Sequence, residues 1–292
     1  MRNIAIIPAA GHSHRWGNHL NTVKQLAPID SSGQTVIGRT VEMLRCSGVD
    51  EVFVLTHVDK IIESVKNTKI IRTENHTYLS DTILSSQAEW GDRTIILLGD
   101  VFFSQECLER ILNCKNKVKF FGVDRGSETA LKKIKRPEIY AFSFDISAKQ
   151  KIQSALQINS TLAKLREKGS LLLLLSSLKI HATNNSDYLK TLYSVSYPPK
   201  PPRILRKLGF KRSLLWRIYR SLVSKPRKKW LYGKLWGLYL CTAAIDPYGG
   251  VDYQWPTSTN NFFEQIDDIT QDIDTIEDYD NLIEKLMSSQ PK

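Results

Sequence analysis

Short apolar runs recur along the first half of the chain with amphipathic segments between them, and that alternation is the strongest constraint on its fold. Strand-like runs fall at 4–8 (IAIIP), 51–56 (EVFVLT), 70–72, 93–98 (RTIILL), 118–123 (VKFFGV) and 139–144 (IYAFSF). The segments between them carry a helical period: in 35–44 the apolar residues stand at 36, 37, 41 and 44. Helices are likewise predicted over 61–66, 82–90, 105–112 and 147–191. Strand and helix alternate about every 20 residues, which predicts an α/β chain: a three-layer α/β/α, Rossmann-like arrangement around a mostly parallel sheet. Ligands of such a sheet bind at the carboxyl ends of its strands.

Charge divides the chain differently. Of its 292 residues, 41 are Lys or Arg and 30 are Asp or Glu, for a net charge of +11. Fourteen of the basic residues lie between Tyr188 and Ile245, where there is no acid at all. The remainder is close to neutral, so the high isoelectric point describes one segment and does not argue for nucleic-acid binding by the whole protein. Three parts are expected: an α/β core over 1–184, a basic and helical insertion or lid over 185–245, and a return to the core over 246–292. The longest apolar run is Leu171–Leu175, far short of the roughly 20 residues of a membrane span. The N-terminal run reads as a first strand rather than a signal peptide. Four cysteines without a C-x-x-C pair predict free thiols and a cytoplasmic setting.

Three stretches carry chemistry. The loop after the first strand reads Ala9-Ala10-Gly11-His12-Ser13-His14-Arg15-Trp16-Gly17, followed by Lys24-Gln25-Leu26. Small residues after a buried strand let backbone N–H groups approach a polyphosphate, and Arg15 and Lys24 can neutralise it. The competing reading is a plain turn with two surface cations. Neither a Walker loop nor a dinucleotide fingerprint is present. At 97–101, Leu-Leu-Gly99-Asp100-Val places a carboxylate at the end of a buried strand, where it suits Mg²⁺ or a helix cap. Near the C-terminus, Asp272-Ile273-Asp274-Thr275-Ile276-Glu277-Asp278-Tyr279 combines two acids with a helix start, Thr275 capping and Glu277 and Asp278 in the first turn. His12, His14 and His19 do not have a zinc spacing.

Together these motifs resemble the GT-A-like nucleotidyltransferases. A-A-G-x-x-x-R-x-G followed by K-Q-L is similar to their A-A-G-x-G-x-R-M-G…P-K-Q signature, with Ser13 replacing a glycine and Val23 replacing a proline. The arm between Gly17 and Lys24 is about one residue longer than usual. The flavour is that of the cytidylyltransferases acting on methylerythritol phosphate or ribitol phosphate. The D-I-D-T-I-E-D ending is similar to that of the molybdenum-cofactor cytidylyltransferases. The resemblance implies transfer of a nucleotidyl group from an NTP, CTP favoured, to a phosphorylated sugar or polyol, with release of pyrophosphate. It implies a triphosphate held by Ala9, Ala10, Gly11, His12 and Ser13, with Gly99 and either Thr82 or Ser85 beside the nucleotide. It also implies charge stabilisation by Arg15 and Lys24, and Mg²⁺ on Asp100 and Asp274, with Asp272 competing for the second position.

Two other readings compete. A glycosyltransferase of the same fold would show D-x-D after a mid-sheet strand, whereas this strand ends G-D-V. A catalytically silent relative would bind a membrane or polyanion through 200–236, where apolar residues at 204, 208, 215, 219 and 222 share a helical face among Arg and Lys. That segment equally suits a solvated helix pair, and no nucleic-acid module is readable in it. The sequence leaves a homodimer open.

Overall fold

The structure, a computed structural model, describes residues 1–11, 15–17, 19–65, 68–74, 78–123, 138–150, 152–153, 155–157, 160 and 263–288. The basic insertion expected over 185–245 lies outside these residues, as does most of the helix expected over 147–191.

Strands β1 (Asn3–Pro8), β2 (Glu51–Thr56), β3 (Lys69–Arg72), β4 (Arg93–Leu97), β6 (Val118–Val123), β7 (Glu138–Asp145) and β8 (Phe263–Gln265) form one seven-stranded sheet in the order β3-β2-β1-β4-β7-β6-β8. β1 runs parallel to both β2 and β4, and β8 is parallel to β6. Only β7 is reversed, antiparallel to β4 and β6. The sheet is therefore mostly parallel, as the alternation predicts. A second, two-stranded ribbon pairs β5 (Val101–Phe102) antiparallel with β9 (Gln271–Asp272).

Side-chain alternation divides the core between the two faces. Ile4, Ile6, Phe53, Leu55 and Ile96 point to one face, where Ile83 of α3 (Leu79–Leu84) and Ile152, Ala155 and Leu156 pack. Ala5, Ile7, Val52, Val54, Ile95 and Leu97 point to the other, under α1 (Val36–Cys46), α2 (Asp59–Ser64) and α4 (Gln105–Asn113). The three layers follow. Because β1 is followed by α1 on one face and β4 is preceded by α3 on the other, the crossovers part between β1 and β4. The carboxyl ends of these two strands thus flank a crevice of the kind in which open α/β sheets bind ligands.

Local chemistry sets the boundaries. The Thr35 hydroxyl accepts from Gly38 N–H at 3.1 Å to start α1, and Gly48 at φ +77° follows its end. Ser104 caps α4 by accepting from Cys107 N–H at 2.9 Å. The helix expected over 82–90 is instead α3, which begins three residues earlier, followed by a 3-10 turn over Gln87–Glu89. No side chain caps α3, since its N-cap is Tyr78, and Ser80 and Asp81 lie inside its first turn. Cys46, Cys107 and Cys114 are free thiols, and burial pushes that of Cys107 up to about 12. Among the described residues no helix is long and apolar enough to cross a membrane.

Gly91 gives a test of this packing. A Cβ there would stand 2.4 Å from the Arg2 carbonyl oxygen and 2.7 Å from Ile4 Cγ1. Gly91→Ala is expected to cost about 3 kcal/mol in a denaturant titration. Gly33→Ala, whose Cβ meets open space but whose φ is +79°, is expected to cost only about 1–2 kcal/mol. Equal stability of Gly91→Ala and the wild type would contradict the close approach of β1 and the β4 turn.

Candidate active site

The site is built where β1 and β4 end. Pro8 closes β1, and Ala9 and Ala10 remain buried as the chain leaves the sheet. Ala9 N–H donates to Leu55 O at 2.8 Å, so Ala9 offers a ligand its small side chain rather than a donor. Among the described residues no hydrogen bond occupies the N–H of Ala10 or Gly11. Gly11 is exposed, and a methyl group added to it would meet no described atom within 4 Å. His12, Ser13 and His14 lie outside the described residues. Gly17 has φ +62°, a conformation that favours glycine and explains its place in the motif.

The long arm that follows takes up its length in an unusual way. Leu20 and Asn21 both have positive φ, 56° and 52°; asparagine tolerates this and leucine does so only at a cost. Val23 then adopts φ −82° and ψ 151°, close to the angle a proline would impose. A 3-10 turn over Lys24–Leu26 follows, fixed by Leu26 N–H to Val23 O at 2.9 Å and Ala27 N–H to Lys24 O at 3.1 Å. Val23 thus takes an extended conformation that a proline could also adopt.

At the end of β4 the chain comes close to this loop. Gly99 N–H donates to Pro8 O at 3.1 Å, and a Cβ at Gly99 would lie 3.0 Å from that of Ala9. Asp100 follows and leads into β5. The partner strand β9 carries Asp272, and Ile273 N–H donates to Asp100 O at 3.0 Å. Just past the end of β9, Ile273 turns inward to a small core with Trp16, Ala27, Ile29, Val36, Phe102 and Leu282, and Asp272 and Asp274 come together beside Asp100.

Asp100, Asp272 and Asp274 each present a carboxylate oxygen within 4.8 Å of the others. Lys24 Nζ lies 2.6 Å from Asp100 Oδ2 and 2.7 Å from Asp274 Oδ1, and its side chain is only 7% exposed. Arg15 pairs with Asp274 from the solvent side. Burial alone would lower the lysine pKa, but the charges of Asp100, Asp272 and Asp274 outweigh it and hold Lys24 above an ordinary lysine. Asp272 moves the other way for a carboxylate: burial first, and then the charge of Asp100, raise it well above the usual range, with Lys24 opposing. Among the described residues its buried Oδ1 has no hydrogen-bond partner.

An orphaned carboxylate oxygen beside two further carboxylates is a hard, oxygen-only donor set, which fits Mg²⁺. Sequence reasoning singled out Asp100 and Asp274 and set Asp272 as a competitor; the fold brings all three together. Thr82 and Ser85 are not part of this cluster. The Thr82 hydroxyl donates to Tyr78 O at 3.4 Å and the Ser85 hydroxyl to Thr82 O at 2.7 Å, both within their own helical segment.

Sequence reasoning passed over Trp16. It is fully buried, donates through Nε1 to Thr22 O at 2.9 Å and meets Tyr279 edge-on with ring centroids 5.6 Å apart. Tyr279 belongs to α5 (Ile276–Ser288), so this pair ties the Arg15 loop to the helix that follows Asp274. The available signal was an aromatic residue inside a polar, glycine-containing loop.

Residues 5–139 match the family of MobA-like NTP transferase domains. That stretch is similar to a nucleotidyltransferase domain over a little under half of the chain. Among solved structures, the CTP:phosphocholine cytidylyltransferase of Streptococcus pneumoniae covers 98% of this chain and 100% of its own, at 12% identity and a TM-score of 0.50. It shares the fold. A nucleotidyl transferase from Methanothermobacter covers 52% of this chain and 76% of its own, at 22% identity and a TM-score of 0.42. A Mycobacterium tuberculosis protein covers 52% and 76%, at 18% identity and a TM-score of 0.41. No curated protein matches the chain. The domain match spans β1 to the start of β7. It therefore takes in Ala9–Gly17, Lys24 and Asp100, while Asp272 and Asp274 lie beyond it.

Lys24 is the counter-ion of this acidic cluster, so its removal has a defined cost. Lys24→Met is expected to lower stability by about 2 kcal/mol, less than the ~3–5 kcal/mol of a fully buried pair because the carboxylates are partly exposed. Added MgCl₂ is expected to return part of that loss in a thermal melt. A melting temperature unchanged by the substitution would contradict the clamp.

Proposed function

We propose that the protein is a Mg²⁺-dependent nucleotidyltransferase that joins CTP to a phosphorylated polyol or sugar and releases pyrophosphate. The observation that carries this reading is the near-buried Lys24 ammonium between Asp100 and Asp274, with the unpartnered oxygen of Asp272 beside them. Asp100, Asp272 and Asp274 would hold the metal, which when bound supplies charge neutralisation to the phosphates.

The remaining chemistry rests on the chain's own groups. Backbone N–H groups from Ala10 onward orient the triphosphate at the open end of β1. An acceptor phosphate oxygen attacks the α-phosphorus, forming a new P–O bond as the bond to the β-phosphate breaks and pyrophosphate leaves. The acceptor is already an anion, so no general base is required. Lys24 and Arg15 stabilise the negative charge that gathers on the α-phosphate and the leaving group, being held close in advance by the carboxylates. The preference for CTP draws on the K-Q-L and R-x-G similarity to cytidylyltransferases. The fold shared with a CTP:phosphocholine cytidylyltransferase agrees with it, and with a phosphorylated alcohol as acceptor.

The test is pyrophosphate release with Mg²⁺, each of the four NTPs in turn and a panel of phosphorylated polyols, sugars and amino alcohols. Turnover is expected with CTP and one acceptor, and a loss of at least about 100-fold in Asp100→Ala and Lys24→Ala. Turnover of the same pair at wild-type rate in both variants would overturn the assignment of these residues. Turnover confined to another nucleotide would overturn the preference for CTP.

A further inference from the structure

Asp274 has no strand to hold it. β9 ends at Asp272 and α5 begins at Ile276, so Asp274 stands in a short connection pulled from one side by two cations. Upstream it is anchored by Ile273, which is buried and hydrogen-bonded to Asp100 O. Downstream the Asp278 side chain holds it. Asp278 Oδ2 accepts from Thr275 N–H at 2.8 Å, from the Thr275 hydroxyl at 2.8 Å and from Asp274 N–H at 3.2 Å. In return, the Thr275 hydroxyl accepts from Asp278 N–H at 3.2 Å. The reciprocal pair between Thr275 and Asp278 is a capping box and serves the helix. The bond to Asp274 N–H lies outside the box and serves the loop.

The geometry points to Asp278 as a positioning residue: its carboxylate fixes the backbone of Asp274 so that the Asp274 side chain meets Asp100 and Asp272 in the arrangement a divalent cation needs. This rests on the metal-binding reading proposed above. Groups that orient a ligating carboxylate typically carry 10–100-fold of metal affinity without touching the ion. The helix that bears Asp278 is itself fastened to the rest of the site. Tyr279 donates to Pro28 O at 2.7 Å and meets Trp16 edge-on, and Gln271 Nε2 donates to Asp278 O at 2.7 Å. The carboxylate is therefore attached to a frame rather than to a free helix end.

A structural role and a positioning role separate by comparing two residues of the same box. Thr275→Ala removes the cap hydroxyl but leaves Asp278 to accept from the 274 and 275 N–H groups. Asp278→Ala removes that acceptor and leaves the cap hydroxyl in place. Each is expected to cost about 1 kcal/mol of stability, as lost caps do, so both proteins fold.

Mn²⁺ binding to the full chain, read by electron paramagnetic resonance of the free ion, then distinguishes them. Asp278→Ala is expected to weaken Mn²⁺ at least about 10-fold. Asp278→Asn, which keeps an oxygen acceptor, is expected to recover most of that loss, and Thr275→Ala to bind as the wild type does despite a similar drop in melting temperature. Equal Mn²⁺ affinity in Asp278→Ala and the wild type would overturn the proposal, as would an equal loss in Thr275→Ala. A wild-type chain that binds no Mn²⁺ would overturn the metal-binding reading itself, a different failure from either of these.

Discussion

Three carboxylates around one lysine cannot be left in a half-buried crevice unless the fold forces them together. Asp100, Asp272 and Asp274 repel one another, and removing them from water costs more. Lys24 and Arg15 offset part of that cost, and the raised pKa of Asp272 records what is left uncompensated. Such an arrangement is poor for stability and good for binding a cation together with a polyphosphate. The same two basic groups that hold the acids in check are the ones a triphosphate would draw upon.

The fold reaches this arrangement by joining the ends of the described core. β1 and β4 bring the Ala9–Gly11 loop and Asp100 to one edge of the crevice, and Gly99 lets them approach closely. The two-residue β5–β9 ribbon then carries Asp272 and Asp274 back to Asp100. It is short, and what makes it sufficient is the small core beneath it, where Trp16, Phe102, Ile273 and Leu282 pack together. Trp16 comes from the loop of Arg15, Phe102 follows Asp100, and Ile273 lies between the two C-terminal acids. One apolar cluster thus sets the relative positions of all the charged groups. Ser104 strengthens the junction, its N–H donating to Thr270 Oγ1 at 2.9 Å and its hydroxyl to Asp268.

Local patterns in the sequence carried much of this. Apolar runs of three to six residues marked the strands, and G-D after RTIILL marked a carboxylate at a strand end, because parallel strands place their following residues at a ligand-binding edge. D-I-D was legible as two acids just before a helix start, with Asp274 set before Asp272 as the metal ligand. What could not be read was the meeting of Asp100 with residues some 170 positions later, since ribbon pairing depends on tertiary contacts and not on local propensity. The reversal of β7 was hidden for the same reason, as an apolar run has no direction. Thr82 and Ser85 were legible as hydroxyls near a helix start, but not that each donates to a backbone carbonyl of its own segment. Asp278 was legible as a helix-start acid, but its reach to Asp274 N–H was not.

The central claim is that Lys24 and the three carboxylates form one binding site for a metal–triphosphate pair. Calorimetric titration of CTP into the full chain, with Mg²⁺ and then with EDTA, tests it most directly. Binding is expected to need Mg²⁺ and to weaken at least about 10-fold in Lys24→Met, through loss of a charge-assisted contact to phosphate. Equal affinity in EDTA, or in Lys24→Met with Mg²⁺ present, would contradict it.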